Sequence, residues 1–108
     1  MGEKTYYPKA QRVDKLSQKE LLDLTFDLIN AFRFVKTPMQ TSLLMQDLLT
    51  ASEIKHLAKR LRIAKLLLGG ITQREITKEV HCSLATVTKV SAWLNRGGEG
   101  LRMVITKL

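Results

Sequence analysis

Residues 72–90, TQREITKEVHCSLATVTKV, decide how the rest of the chain must fold. Thr72 can cap a helix and Glu75, three positions on, completes a capping box. Ile71 and Ile76 flank that cap as a hydrophobic staple, and Ile76 shares a helical face with Val80. The chain turns at His81-Cys82, and Ser83 is a good N-cap for a second helix through Leu84, Val87 and Val90. His81 stands where such a turn needs left-handed backbone, and histidine is among the non-glycine residues enriched there. Thr77 stands where a smaller residue would let the helices approach more closely. Two helices joined this way form a helix-turn-helix, whose second helix presents its N-terminal residues to a DNA major groove. The exposed set is Leu84, Ala85, Thr86, Thr88 and Lys89. Short or basic side chains of this kind suit thymine methyls, base edges and phosphates.

The composition supports that reading. The chain has 108 residues, enough for one modest core, and carries a formal charge of +8 with a pI near 9.9. Such a balance favours polyanionic partners. The cations cluster: Lys55, Lys59, Arg60, Arg62 and Lys65 precede the motif, and Arg74, Lys78, Lys89 and Arg96 lie in or just after it. Alone they would read as a solvated face; beside a helix-turn-helix they read as a phosphate-binding footprint. One cysteine, Cys82, rules out an intrachain disulfide and suits a reducing compartment. A signal peptide and a membrane-spanning run are both missing from the pattern, so a cytoplasmic location is expected.

Outward from the motif the whole chain reads as helix. Residues 1–16 are polar and basic, with Tyr6-Tyr7-Pro8, and are expected to form a flexible arm ahead of a single helical domain over 17–108. Ser17 with Glu20, Thr37 with Gln40, and Thr50 with Glu53 repeat the capping-box pattern of Thr72 with Glu75. A first helix is predicted over about 18–36, with a stripe of Leu21, Leu22, Leu28, Ile29, Phe32 and Val35. Leu24, Phe26 and Phe34 fall outside that stripe, so this helix is apolar on more than one face. A second is predicted over 38–48, burying Met39, Leu43, Leu44 and Leu48, with Pro38 at its first position. A third over 51–68 presents Ile54, Leu57, Leu61, Ala64 and Leu68 and stops at Gly69-Gly70. Gly97-Gly98 break the chain again before a last helix over about 99–107. No stretch alternates long enough to be a strand, so the fold is all-α with about six helices. Short helices with so much uncovered apolar surface predict a homodimer, which would set two recognition helices roughly 34 Å apart.

The segment LLTASEIKHLAKRLRIAKLLLGGITQREITKEVHCSLATVTKVSAWL resembles the Trp repressor superfamily, and within it the YerC/YecD group of Trp-repressor-related proteins. Its most specific parts are Leu48-Leu49-Thr50, Arg60 with Arg62-Ile63, Gln73-Arg74-Glu75 and Ala85-Thr86-Val87-Thr88. The Trp repressor is itself one of the proteins that define the docking geometry invoked above. The resemblance implies an intertwined dimer and sequence-specific repression of transcription. It matches Gln73, Arg74, Leu84, Ala85 and Thr88 to DNA contacts, and Thr50, Arg60, Thr86 and Lys89 to a ligand pocket. With Lys78, Ser83, Thr86 and Lys89 added, these give the candidate DNA-binding set; Val90 and Trp93 complete the candidate pocket. Three departures matter. Lys89 stands for an arginine and Val90 for a glycine, and the family's basic residue late in the first motif helix is here Thr77 with Lys78 beside it. Val90 would fill space that the tryptophan-sensing members leave for an indole, and lysine cannot stack as a planar guanidinium does. Free L-tryptophan is therefore not the expected corepressor. Trp93, one turn beyond Lys89, either supplies a built-in indole or covers the core.

Other classes fit less well. His56, His81, Cys82 and Glu75 are the groups a nucleophilic enzyme would need, but His81 and Cys82 are adjacent in a turn and no third group orients either. Cys82 reads as a structural thiol before it reads as a redox switch. Single-stranded RNA recognition wants an aromatic platform, whereas Phe26, Phe32 and Phe34 share one core-like helix and Trp93 is isolated. A helical adaptor without sequence specificity is the competing reading. No catalytic residues, metal or cofactor are expected; the partners expected are double-stranded DNA and a second copy of the chain, with no membrane.

Overall fold

The protein is described by a computed structural model over residues 16–108; the expected arm over 1–16 lies outside these residues except for Leu16, which is exposed. Among the described residues there are six helices and no strand. They are α1 (Gln18–Phe34), α2 (Pro38–Leu48), α3 (Ala51–Leu68), α4 (Gln73–Val80), α5 (Leu84–Asn95) and α6 (Glu99–Ile105). The chain divides after Leu48 into two units, the second being Leu49–Leu108.

In the first unit Ser17 caps α1, its Oγ accepting from the Glu20 backbone N–H at 3.1 Å. The helix ends at Phe34, two residues before the expected 36, because Val35 is already extended. The Thr37 capping pattern is used in a shifted form. Thr37 Oγ1 accepts from the Gln40 N–H at 3.1 Å, but the Gln40 side chain reaches back to the Lys36 N–H at 2.7 Å. The return bond thus lands one residue earlier than in a regular capping box.

The expected burial on α2 is not found: Met39, Leu43 and Leu48 are exposed and only Leu44 is half-buried. Neither α1 nor α2 has a buried residue, and Phe34 is 76% exposed. Among the described residues, these two helices keep much of their apolar surface exposed.

The second unit has an apolar core. Ile63 and Ala64 of α3, Ile76 and Val80 of α4, and Val87, Val90 and Leu94 of α5 form it, with Leu66, Leu67, Trp93, Leu101 and Ile105 packed around. This corrects the expected face of α3. Only Ala64 of the predicted stripe is buried; Leu57 and Leu68 are exposed, Ile54 and Leu61 half-buried, and Ile63 is the main contributor. The helix is apolar on two sides, and α4 and α5 take the side centred on Ile63.

Caps explain the boundaries. Thr50 and Glu53 make both bonds of a capping box, at 3.1 and 2.8 Å. The Thr50 backbone N–H donating to Glu53, with the Thr50 hydroxyl second, holds that carboxyl below its usual range. At its other end α3 closes with Gly70 at φ 85°, the Ile71 N–H donating to Leu66 and the Gly70 N–H to Leu67. That Schellman arrangement requires the left-handed residue that glycine supplies without strain. Thr72 and Glu75 box the start of α4 as the sequence predicts. The last helix stops at Ile105 rather than 107. It is tied back by Arg102, whose guanidinium donates to the carbonyls of Gly97 and Leu94 at 3.2 and 3.0 Å.

His81 adopts φ 57°, ψ 57°, the left-handed conformation expected of it. A side chain there costs about 1–2 kcal/mol, partly offset by the larger entropy a glycine loses on folding. His81→Gly is therefore expected to stabilise the protein by about 0.5 kcal/mol, seen as a rise of a few degrees in a thermal melt.

Candidate nucleic-acid interface

α4 and α5 are joined by the three-residue turn His81, Cys82 and Ser83. The Cys82 N–H donates to the Thr77 carbonyl at 3.2 Å, finishing α4 tightly. Ser83 then opens α5, its Oγ accepting from the Thr86 N–H at 3.2 Å. From α3, Lys59 Nζ donates to the His81 carbonyl at 3.1 Å and pins the turn against the helix beneath it.

Ile76 and Val80 of α4 and Val87, Val90 and Leu94 of α5 are committed to the core, which leaves other positions of both helices facing outward. Arg74 and Lys78 on α4, and Ala85, Thr88 and Lys89 on α5, are exposed; Leu84 is 55% exposed at the start of α5. Gln73 and Thr86 are half-buried. Two pairs are hydrogen-bonded within this set. Thr88 Oγ1 donates to Gln73 Oε1 at 3.0 Å, and the hydroxyls of Ser83 and Thr86 lie 2.9 Å apart. The structure thus brings all nine candidate DNA-binding residues onto α4, the turn and α5, with two of the hydroxyls engaged in the local cap.

A cleft of about 270 Å³ opens between α3, the turn and α5. Of the candidate pocket residues, Arg60, Thr86, Lys89, Val90 and Trp93 line it. Thr50 does not; its hydroxyl caps α3. His56, Lys59, His81, Cys82 and Ser83 also line the cleft, although none was placed there from the sequence. One signal for His56 was present, since it lies four residues before Arg60 and so on the same face of α3.

The Arg60 guanidinium carbon stands 5.3 Å from the centroid of the Trp93 ring, within cation–π range. Val90 is only 1% exposed and belongs to the core. An indole of the chain itself therefore meets Arg60, and both side chains line the cleft. Among the described residues no group of three His, Cys, Asp or Glu side chains is placed to hold a metal ion, and no helix is long and apolar enough to cross a membrane.

Comparison with known proteins bears on this geometry. The family described as Trp repressor protein matches residues 17–108. The uncharacterized protein YerC of Bacillus subtilis (strain 168) is 33% identical over 97 residues, which span 90% of this chain and 89% of the relative. No solved structure matches the chain.

Proposed function

The chain belongs to the Trp repressor family, and on that footing we propose that it is a sequence-specific transcriptional regulator acting on double-stranded DNA. The family's members are helical DNA-binding regulators rather than enzymes. The finer reading is repression by a cytoplasmic homodimer, one helical domain per chain over 17–108, without free L-tryptophan as corepressor. The observation that carries it is the outward face of α4 and α5. Arg74, Lys78, Leu84, Ala85, Thr88 and Lys89 are all exposed over an apolar core. Exposed apolar side chains on α1 and α2, Phe34, Met39 and Leu43 among them, support the second copy.

Selection of bound sequences from a random duplex pool, with sedimentation of the winning complex, tests this. The expected result is one enriched sequence with two half-sites about one helical turn apart and two chains per duplex. A chain that stays monomeric at micromolar concentration, or an unenriched pool, sinks the proposal; the latter would leave a nonspecific adaptor. Affinity should also fall steeply with salt, since each neutralised phosphate adds about 0.9 to the slope of log K against log salt. A flat response would assign the basic side chains to a merely solvated surface.

A further inference from the structure

Gln73 and Thr88 sit fifteen positions apart, one at the start of α4 and the other in the second turn of α5. Their side chains meet at 3.0 Å, Thr88 Oγ1 donating to Gln73 Oε1, on the exposed side of the two helices. The bond has a direction, and that direction has a consequence. A glutamine amide carries one oxygen and one NH₂ group on opposite sides of its planar head. Holding the oxygen against Thr88 leaves the nitrogen, with its two donors, outside that bond. Without that tether a surface glutamine samples many rotamers, and the ordering entropy would be lost anew on each binding event.

We propose that Thr88 is a positioning residue, and that the Gln73 amide nitrogen, which its bond to the oxygen leaves available, donates to a phosphate oxygen of the bound duplex. This rests on the DNA-binding reading above. Phosphate is the acceptor of choice because α4 is the helix that crosses the backbone in this motif, and glutamine is among the residues that make such contacts. The assignment separates Thr88 from its neighbours Ala85 and Lys89: its hydroxyl acts through Gln73 and not on a base.

Five variants test this in a duplex-binding titration at fixed salt, each checked by thermal melt. Thr88→Val keeps the shape and removes the donor; it should weaken binding about three- to tenfold, the worth of one hydrogen bond, on selected and random duplex alike. Thr88→Ser restores the hydroxyl and should bind within about twofold of wild type. Gln73→Glu still accepts from Thr88 but offers no donor, so it should bind more weakly than Thr88→Val. Combining Gln73→Ala with Thr88→Val should cost no more than Gln73→Ala alone, because the two residues make one contact.

The salt slope should be the same in wild type and Thr88→Val, since no charge is removed, whereas disrupted docking of the basic side chains would lower it. Additive losses, or a Thr88→Val loss confined to the selected duplex, would show Thr88 touching DNA itself and overturn the assignment. So would a Thr88→Val protein that melts and binds as wild type does. A wild-type chain with no duplex affinity would overturn the DNA-binding reading, and this assignment with it.

Discussion

Arg74→Ala is expected to weaken duplex binding by about 1–3 kcal/mol, five- to more than a hundredfold, while leaving the melting temperature unchanged. The two halves of that expectation come from different parts of the structure. Arg74 is exposed at the second position of α4, and its backbone carbonyl accepts from the Thr77 hydroxyl at 2.6 Å. Alanine retains that carbonyl and is a better helix former, so the fold loses nothing. The side chain, by contrast, is a long planar cation beside Gln73 and on the same helix as Lys78, and contributes both charge and two-pronged donation. A drop that is uniform across sequences, with a shallower salt slope, would place the guanidinium on the backbone. A drop that also relaxes the preferred sequence would place it on a guanine edge. A variant that binds as tightly as wild type would remove Arg74 from the interface and weaken the case for α4 as a DNA-facing helix.

The motif was legible because its signals are local. Capping at Thr72 and Ser83, the left-handed His81 and the buried pair Ile76 and Val80 are each set by a few neighbouring residues. Local preference and tertiary placement agree there, which is when sequence reading works. The face of α3 was not legible for the opposite reason. Ile54, Leu57, Leu61 and Leu68 make as good a stripe as Ile63, Leu66 and Leu67, and periodicity cannot say which one a neighbour will cover. That is decided by where α4 and α5 fold back, through contacts distant in sequence.

The burial expected on α2 met a related limit. Apolar spacing announces a surface that needs cover without saying whether the same chain supplies it. The resemblance matched Thr50 to a pocket position, whereas its hydroxyl is used by the backbone of its own helix. His56 and Lys59 were missed because a cleft depends on how two helices diverge, which no single-helix pattern encodes.

Calorimetry with millimolar L-tryptophan should give no saturable heat, and duplex affinity should be the same with and without the amino acid. The physical ground is occupancy. Val90 is 1% exposed and packs with Ile63 and Val87 in the core, so the floor of the cleft is filled by a side chain where glycine would leave room. The cationic face that an incoming indole would seek is already met, with Arg60 standing 5.3 Å from the Trp93 ring. A free amino acid would have to displace an indole that is covalently present at very high local concentration, and would gain only what that indole gives up. Lys89, at the other wall, offers a point charge and no stacking plane.

Two variants separate the obstacles. Trp93→Ala uncovers Arg60 and should lower stability by about 3 kcal/mol or less, since the ring is only half-buried. Val90→Gly empties the floor and adds backbone freedom to α5, at a cost of about 2–3 kcal/mol. Neither alone should bind tryptophan measurably, because each leaves the other obstacle in place; together they should admit an indole if the fold survives, which a melt will report. Saturable binding by the unaltered chain, accompanied by tighter DNA association, would sink the idea. It would mean that Trp93 swings away from Arg60 at a cost smaller than the binding energy of the free ligand.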